Sequence, residues 1–169
     1  MARSLLIVVC VLVVWMTTAS QAIAETPRTA LIEALIHVES KGNDRAHGDK
    51  HLPDHAYGCL QIRQPCVDDV NSRYGTNYRA QDCFGNRELS LWIFHRYMDI
   101  YATESRIGRK VTYQDMSRIW NGGPSGCFDD GSIDKNGRKP KSAKARRKVS
   151  ETQKRAKIEY WQKKVKPLL

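Results

Sequence analysis

The sequence has no long uninterrupted apolar segment: its longest apolar run, Leu5–Met16, has only 12 residues. A helix that spans a bilayer needs about 20 consecutive apolar residues, so this run is too short for one. It follows Arg3 and precedes Ala22-Ile23-Ala24, the charged, apolar and small-residue order of a secretory signal. We therefore predict a signal peptide over residues 1–24 and a secreted mature chain, extracellular or periplasmic, that begins at Glu25. An uncleaved membrane anchor is the alternative.

Cysteine is scarce, and no two cysteines are spaced as Cys-x-x-Cys. This absence disfavours the common structural zinc sites. Cys10 lies inside the predicted signal, which leaves Cys59, Cys66, Cys83 and Cys127. An even number of cysteines in an exported chain predicts two disulfides. The sequence does not choose among the possible pairings.

Acidic residues are nearly missing from the C-terminal part of the chain. Lys135–Leu169 holds 14 Lys/Arg against 2 Glu, a net charge of +12, whereas Glu25–Asp134 holds 13 Lys/Arg against 16 Asp/Glu, a net charge of −3. Such a basic segment predicts attraction to an anionic surface, such as a bacterial wall, an acidic glycan or lipid headgroups. A solvated segment without a partner is an equally good interpretation. The segment has no zinc-finger or aromatic-rich motif, so we expect no nucleic-acid partner.

The spacing of apolar residues predicts a predominantly helical α+β fold. Residues 25–169 have the length of one domain and show no internal repeat. The predicted helices run from Thr26-Pro27 to Gly42, from Pro65 to Tyr74, from Asn86 to Thr103, from a Thr112/Asp115 capping box to Trp120, and from Glu151 to Lys166. The Asn86–Thr103 helix is expected to be the central core helix. Gly126–Ser150 is predicted to be a flexible loop, so that residues 135–169 form a basic loop and a C-terminal helix.

The polar stretch between residues 43 and 57 predicts a loop with at most a small hairpin. His47, His51 and His55 recur there every four residues, and on a helix they would align as zinc ligands. Gly48 and Pro53 interrupt the stretch and disfavour a helix. We therefore expect solvated histidines and no metal site.

Glu39 stands at the end of the apolar stripe of the first predicted helix. It follows Leu35 by four residues and Leu31 by eight, so its carboxylate extends from the end of that stripe. Partial burial raises the pKa of a carboxyl group and keeps it protonated, as a general acid requires. A glutamate at an exposed helix end is the alternative, and Glu39 alone does not decide between them.

Cleavage of a glycosidic bond is one reaction that uses a protonated carboxyl as its acid. In that reaction a second carboxylate most often stabilises the cation-like sugar. Asp49 lies ten residues after Glu39 in the polar loop and is the first candidate for this role. Asp54, in the same loop, is the reserve. This chemistry requires neither a metal nor an organic cofactor.

Several short motifs accompany Glu39 in a fixed order, and the chain resembles the invertebrate-type (i-type) lysozymes in them. This branch of the lysozyme-like muramidase superfamily is related to goose-type lysozymes and soluble lytic transglycosylases. The resemblance covers most of the chain after residue 24, and Asn-Gly-Gly-Pro-x-Gly-Cys is its most specific element. The motifs are Glu39-Ser40, Gly58-Cys59-Leu60-Gln61-Ile62, Tyr97-Met98, Arg118-Ile119-Trp120-Asn121-Gly122-Gly123-Pro124-Ser125-Gly126-Cys127, and Tyr160-Trp161 with Lys164-Val165.

The resemblance implies a lysozyme-like fold with a small β region beside a sugar cleft. It implies a monomeric enzyme that cleaves the β-1,4 bond between N-acetylmuramic acid and N-acetylglucosamine in bacterial peptidoglycan. Glu39 would then be the general acid and Asp49 its partner carboxylate. The residues that would line the cleft are Tyr57, Gln61, Ile62, Asn121 and Gly122.

The chain departs from the family pattern in its cysteines. The i-type lysozymes are usually rich in cysteine, and their cysteine more often precedes the glycine of the Gln-Ile motif. Here Cys59 follows Gly58. The family's disulfide scheme therefore does not transfer to this chain.

Other functions remain open at this point. A lytic transglycosylase would use Glu39 alone, first as acid and then as base, and would release an anhydro sugar. A non-catalytic cationic protein would bind or kill bacteria through the basic segment without Glu39. An isopeptidase would require a nucleophile such as Ser40 or Ser117 beside a base, and the spacing shows no such dyad.

Overall fold

The structure, a computed structural model, describes residues 27–128 and 158–169. The predicted signal peptide, most of the predicted flexible loop and the first part of the predicted C-terminal helix lie outside the described residues. Within the described ranges, no helix is long and apolar enough to cross a membrane.

The described residues are mostly helical, with one small antiparallel sheet, as the sequence predicts. The sheet pairs His47 with Tyr57 and Gly48 with Ala56. The α-helices and strands are α1 (Pro27–Ser40), β1 (His47–Gly48), β2 (Ala56–Tyr57), α2 (Gln64–Tyr74), α3 (Arg87–Tyr101), α4 (Glu104–Ile107) and α5 (Tyr113–Gly122). Within residues 27–128 and 158–169, three short 3-10 helices occupy Ala80–Cys83, Gly126–Phe128 and Lys166–Leu168, and a π-helix occupies Tyr160–Val165.

Side-chain caps set the starts of α3 and α5 where the sequence predicts them. The Asn86 side chain accepts a hydrogen bond from the backbone N–H of Leu89 at 3.0 Å. Thr112 and Asp115 form the predicted capping box at the start of α5, with both reciprocal bonds present. The α5 helix continues to Gly122 and ends at Gly123, whose φ of +74° lies in the left-handed region that glycine adopts without strain.

The apolar core is built mainly from α1, which buries its predicted stripe, and from α3. Leu31 and Leu35 of α1 have no exposed surface, and neither do Ile93, Phe94 and Met98 of α3. The prediction that Asn86–Thr103 holds the core helix is therefore confirmed. Burial of the α1 stripe carries Glu39, at its end, to the border between the core and solvent.

The C-terminal helix buries different side chains from those that an α-helical period over Glu151–Lys166 predicts. An α-helical period would have turned Ile158, Trp161 and Val165 inward, but Ile158 is 36% exposed. From Tyr160 the helix has the wider π winding, in which residues five apart share a side. Tyr160 and Val165 are accordingly the buried pair, and Tyr160 is turned toward α1.

The structure contradicts the prediction of two disulfides: Cys59, Cys66, Cys83 and Cys127 are all free thiols. An even count suggests pairing, but a bridge also needs specific geometry. Cys59, Cys83 and Cys127 instead lie buried in the apolar core. Burial raises the pKa of Cys83 to about 12 and that of Cys127 to about 11. These thiols therefore stay protonated at neutral pH and pack as small apolar groups.

Candidate active site

A cleft of about 400 Å³ opens between the end of α1, the β1–β2 turn, the segment before α2, and the end of α5. Five residues predicted for the site line it: Glu39, Asp49, Gln61, Ile62 and Asn121. They are separated by up to 82 positions in the sequence, and the fold brings them to one cavity.

Glu39 is partly buried at the cleft and accepts a hydrogen bond from a residue that is distant in the sequence. The hydroxyl of Tyr160 donates a hydrogen bond to its Oε1 at 2.5 Å. Burial raises the pKa of Glu39, and the negative charge of Asp49 acts in the same direction. The Tyr160 hydrogen bond and the positive charges of Lys164 and Arg63 oppose this rise without cancelling it. Glu39 therefore holds its proton to a higher pH than an exposed glutamate.

Asp49 occupies the turn between β1 and β2 and is held there from two sides. Its φ of +50° lies in the left-handed region, which aspartate tolerates better than most residues. Its carbonyl accepts a hydrogen bond from the N–H of Leu52 at 2.8 Å, and its carboxylate is paired with the Arg63 guanidinium. The ion pair keeps a negative charge fixed in the cleft near Glu39.

Asp54, the reserve candidate, does not line the cleft. It is exposed and borders a separate shallow depression together with His55 and Tyr57. Of the two predicted partner carboxylates, the structure therefore places only Asp49 beside Glu39.

Tyr57 and Gly122, both expected in the cleft, lie outside its lining. Tyr57 is directly opposite His47 across the sheet, so their side chains share a face, and the two rings stack with centroids 4.7 Å apart. That face borders the depression and not the cleft. In the α5 turn, Asn121 and Gly123 reach the cleft on either side of Gly122.

Gln61 lines the cleft, but its amide is engaged in holding the cleft wall together. Its Nε2 donates to the carbonyl of Gly58 at 3.0 Å. Its Oε1 fills the space beside Gly48, where an added Cβ would come within 2.1 Å of it. Tyr57 and Ile62 exchange backbone hydrogen bonds of 2.9 and 2.8 Å around this turn. We infer that Gln61 fixes the Gly58–Ile62 turn to the hairpin that carries Asp49.

The turn after α5 forms the opposite wall and is clamped by Arg106. Its guanidinium donates to the carbonyl of Pro124 at 2.9 Å and lies over the rings of Tyr101 and Phe128 at 5.0 and 5.2 Å. A Cβ on Gly126 would come within 1.9 Å of a backbone carbonyl oxygen, so this glycine permits a close approach. The Asn-Gly-Gly-Pro element is thus a fixed wall as well as a helix end.

Sequence reasoning missed several residues of the site. Trp120 packs edge-on against Phe94, with 5.0 Å between centroids. Trp120, Tyr97, Gly123, Pro124 and Tyr160 all belong to the family-like motifs, and that membership was the available signal for them. The other missed residues stand outside the motifs, and only tertiary packing brings them to the cleft. The missed residues of the lining are Arg63, Pro65, Cys66, Asp69, Tyr97, Trp120, Gly123 and Pro124.

The histidines of the hairpin form a pair and not a triad. His47 Nε2 and His55 Nδ1 lie 3.0 Å apart within hydrogen-bond distance, whereas His51 is exposed. Among the described residues, no group of three or more His, Cys, Asp or Glu side chains could hold a metal ion.

The two serines considered as nucleophiles lie outside any catalytic dyad. The hydroxyl of Ser40 donates to the carbonyl of Ile36 at 3.2 Å, as a helical serine often does. Ser117 is fully buried in α5, and its hydroxyl has no hydrogen-bond partner in the described part of the chain. Within the described part of the chain, neither hydroxyl is hydrogen-bonded to a base.

The solved structures that resemble this chain include three crystal structures of lysozymes. They are Tapes japonica lysozyme (22% identity, 69% of this chain and 80% of that one, TM-score 0.48), inhibitor-bound lysozyme from Meretrix lusoria (18%, 61% and 80%, 0.49), and Meretrix lusoria lysozyme in complex with Aeromonas hydrophila PliI (19%, 62% and 80%, 0.49). No protein-family model and no curated protein matches the sequence. The matched proteins are lysozymes, the group that the sequence motifs resemble. At such low identity, the cleft residues must carry any functional assignment.

Proposed function

We propose that this chain is a secreted lysozyme that cleaves the β-1,4 bond between N-acetylmuramic acid and N-acetylglucosamine in bacterial peptidoglycan. The observation that carries the proposal is a partly buried carboxyl with a raised pKa, Glu39, facing the same cleft as Asp49, whose carboxylate is paired with Arg63. Glycosidases use this combination of a protonated and an ionised carboxyl.

In this mechanism the proton of Glu39 passes to the leaving glycosidic oxygen as the bond to the anomeric carbon breaks. The developing positive charge on the sugar is stabilised by the Asp49 carboxylate, which Arg63 holds in place. A water molecule then adds to the anomeric carbon and gives a proton to the ionised Glu39, which restores the acid. The ring of Trp120 and the amide of Asn121 offer the cleft an apolar face and hydrogen-bonding groups of the kinds that sugars bind.

Export and wall attachment are part of the same proposal. Residues 1–24 would direct the chain out of the cell and be cleaved near Ala24. The basic segment from Lys135 to Leu169, with its net charge of +12, would then attach the protein to an anionic wall by electrostatic attraction. We expect the mature protein to act as a monomer.

The decisive experiment digests purified peptidoglycan with the mature protein and identifies the sugar ends by mass spectrometry. Reducing N-acetylmuramic acid ends are expected from a lysozyme. Anhydro ends would show a lytic transglycosylase instead, and bacterial killing without any cleaved glycan would show a non-catalytic cationic protein.

Tyr160→Phe is expected to move the alkaline limb of the activity profile to higher pH. The Tyr160 hydroxyl stabilises the ionised form of Glu39, so its removal raises the pKa of Glu39 further. Glu39 must be protonated to act, and it would stay so to a higher pH. The measurement is the pH dependence of kcat/KM. Tyr113→Phe, at the start of α5 and outside the cleft lining, is the matched control. An unmoved limb would contradict the proposed coupling.

Asp49→Asn is expected to lower kcat by about a hundredfold, the scale of losing one charge-stabilising group. The same substitution removes a negative neighbour of Glu39 and therefore lowers the pKa of Glu39. The alkaline limb should move to lower pH, opposite to the effect of Tyr160→Phe. Asp54→Asn, outside the cleft, should leave rate and profile unchanged. Full activity in Asp49→Asn would favour a mechanism with Glu39 alone.

A further inference from the structure

Three aromatic rings cluster at the junction of α2 and α3, apart from the cleft lining. Tyr74 ends α2, Tyr78 follows it, and both rings meet Trp92 of α3 edge-on, with centroids 6.1 and 5.6 Å apart. Each tyrosine leaves 37% of its surface exposed. Together with Arg73 and Arg96, which lie over these rings, they form what we call the aromatic patch.

Positive charge is fixed against the rings of the aromatic patch. The guanidinium of Arg96 lies 5.4 Å from the Tyr74 ring centroid and 6.0 Å from that of Trp92. The guanidinium of Arg73 lies 6.0 Å from the Tyr74 ring. Such cation–π contacts hold a flexible charged side chain in place at the surface.

The charge of the patch is only partly compensated by its surroundings. Asp99 lies 3.4 Å from Arg96, but it also pairs with Arg28 at 2.8 Å. One carboxylate thus serves two arginines, and Arg73 adds a further positive charge. The patch offers an apolar aromatic surface with an excess of positive charge, which complements a polymer that has apolar sugar faces and carboxylates.

Helix α2 connects the patch to the cleft. Asp69 lines the cleft, and Arg73 follows it by one turn on the same side of the helix. At 1.5 Å per residue, the two positions are about 6 Å apart along the helix axis. A linear polymer that leaves the cleft along α2 would therefore meet the patch without turning around the molecule.

We propose that the aromatic patch is a second glycan-binding surface, which holds an acidic N-acetylated strand of peptidoglycan while another part of the strand occupies the cleft. The inference rests on the proposed function for the identity of the polymer. The patch provides binding only and takes no part in bond cleavage.

The test measures binding of a Glu39→Gln background chain to insoluble peptidoglycan by co-sedimentation. Adding Tyr74→Ser and Tyr78→Ser should weaken binding about tenfold, the combined scale of two aromatic contacts. Arg73→Gln, a milder change at an exposed residue, should weaken it about threefold. Phe84→Ser removes an aromatic side chain of similar exposure, 44%, outside the patch and should bind like the parent.

Three outcomes separate the possibilities. Parent-like binding by both Arg73→Gln and the folded double tyrosine variant would overturn the patch proposal. If these patch variants lost affinity for single-stranded DNA but still bound peptidoglycan like the parent, the proposal would also be overturned, and the patch would be a nucleic-acid surface. Because binding is measured in a Glu39→Gln chain, absence of cleavage by the wild type would refute the proposed function without affecting this readout.

Discussion

Glu39→Gln is expected to abolish measurable peptidoglycan cleavage, with a loss of kcat of about a thousandfold or more, the scale of general acid catalysis. Glutamine keeps the size of the side chain and can still accept the hydrogen bond from Tyr160, but it has no proton to transfer to the leaving oxygen. The measurement is the release of reducing ends from purified peptidoglycan. Unchanged cleavage would remove Glu39 from the mechanism.

Stability provides the control for this variant. The folded state raises the pKa of Glu39 above its unfolded value, so its contribution to stability is complete at low pH and is lost as pH rises through the folded pKa. Glutamine does not ionise and avoids this loss. The Tm of Glu39→Gln minus the Tm of the wild type should therefore be larger at pH 8 than at pH 4. If Glu39→Gln were less stable than the wild type at both pH values, its lost activity would be explained by a damaged fold and not by the missing proton.

Gly58→Ala is expected to destabilise the protein by about 3 kcal/mol, which would lower Tm by about 10 °C. The φ of Gly58 is +74°, and an added Cβ would lie 2.6 Å from the Cys83 carbonyl oxygen and 2.9 Å from the Ser90 hydroxyl. Backbone strain and steric overlap therefore add. A loss of this size is a large share of the stability of a typical domain. Chemical denaturation of the two proteins measures it.

Gly75→Ala separates the two causes. Gly75 has a φ of +69° at the end of α2, and no heavy atom lies within 4 Å of its Cβ position. Gly75→Ala should therefore lower the free energy of unfolding by only about 1 kcal/mol, the cost of placing alanine in the left-handed region. Equal losses for Gly58→Ala and Gly75→Ala would show that the approach of Gly58 to Cys83 costs nothing.

Local patterns were sufficient for the helices whose signals lie within a few residues of one another. Asn86 and the Thr112/Asp115 box gave the starts of α3 and α5 because a cap bonds to backbone groups two or three residues away. The polar stretch from residue 43 to residue 57 likewise indicated a loop with at most a small hairpin, and a hairpin of two short strands is found there. The disulfide prediction failed because counting cysteines carries no information about the distances between them.

The sequence by itself determined the helical framework, the apolar stripe of α1 and the placement of Glu39 at its end, because these follow from the periodicity of neighbouring residues. Only the tertiary structure decided which groups act on Glu39. The π winding turns Tyr160 onto Glu39 across 121 positions, and the hairpin carries Asp49 rather than Asp54 to Arg63 at the cleft. Such contacts depend on how distant segments pack, and packing distances are not encoded in local spacing.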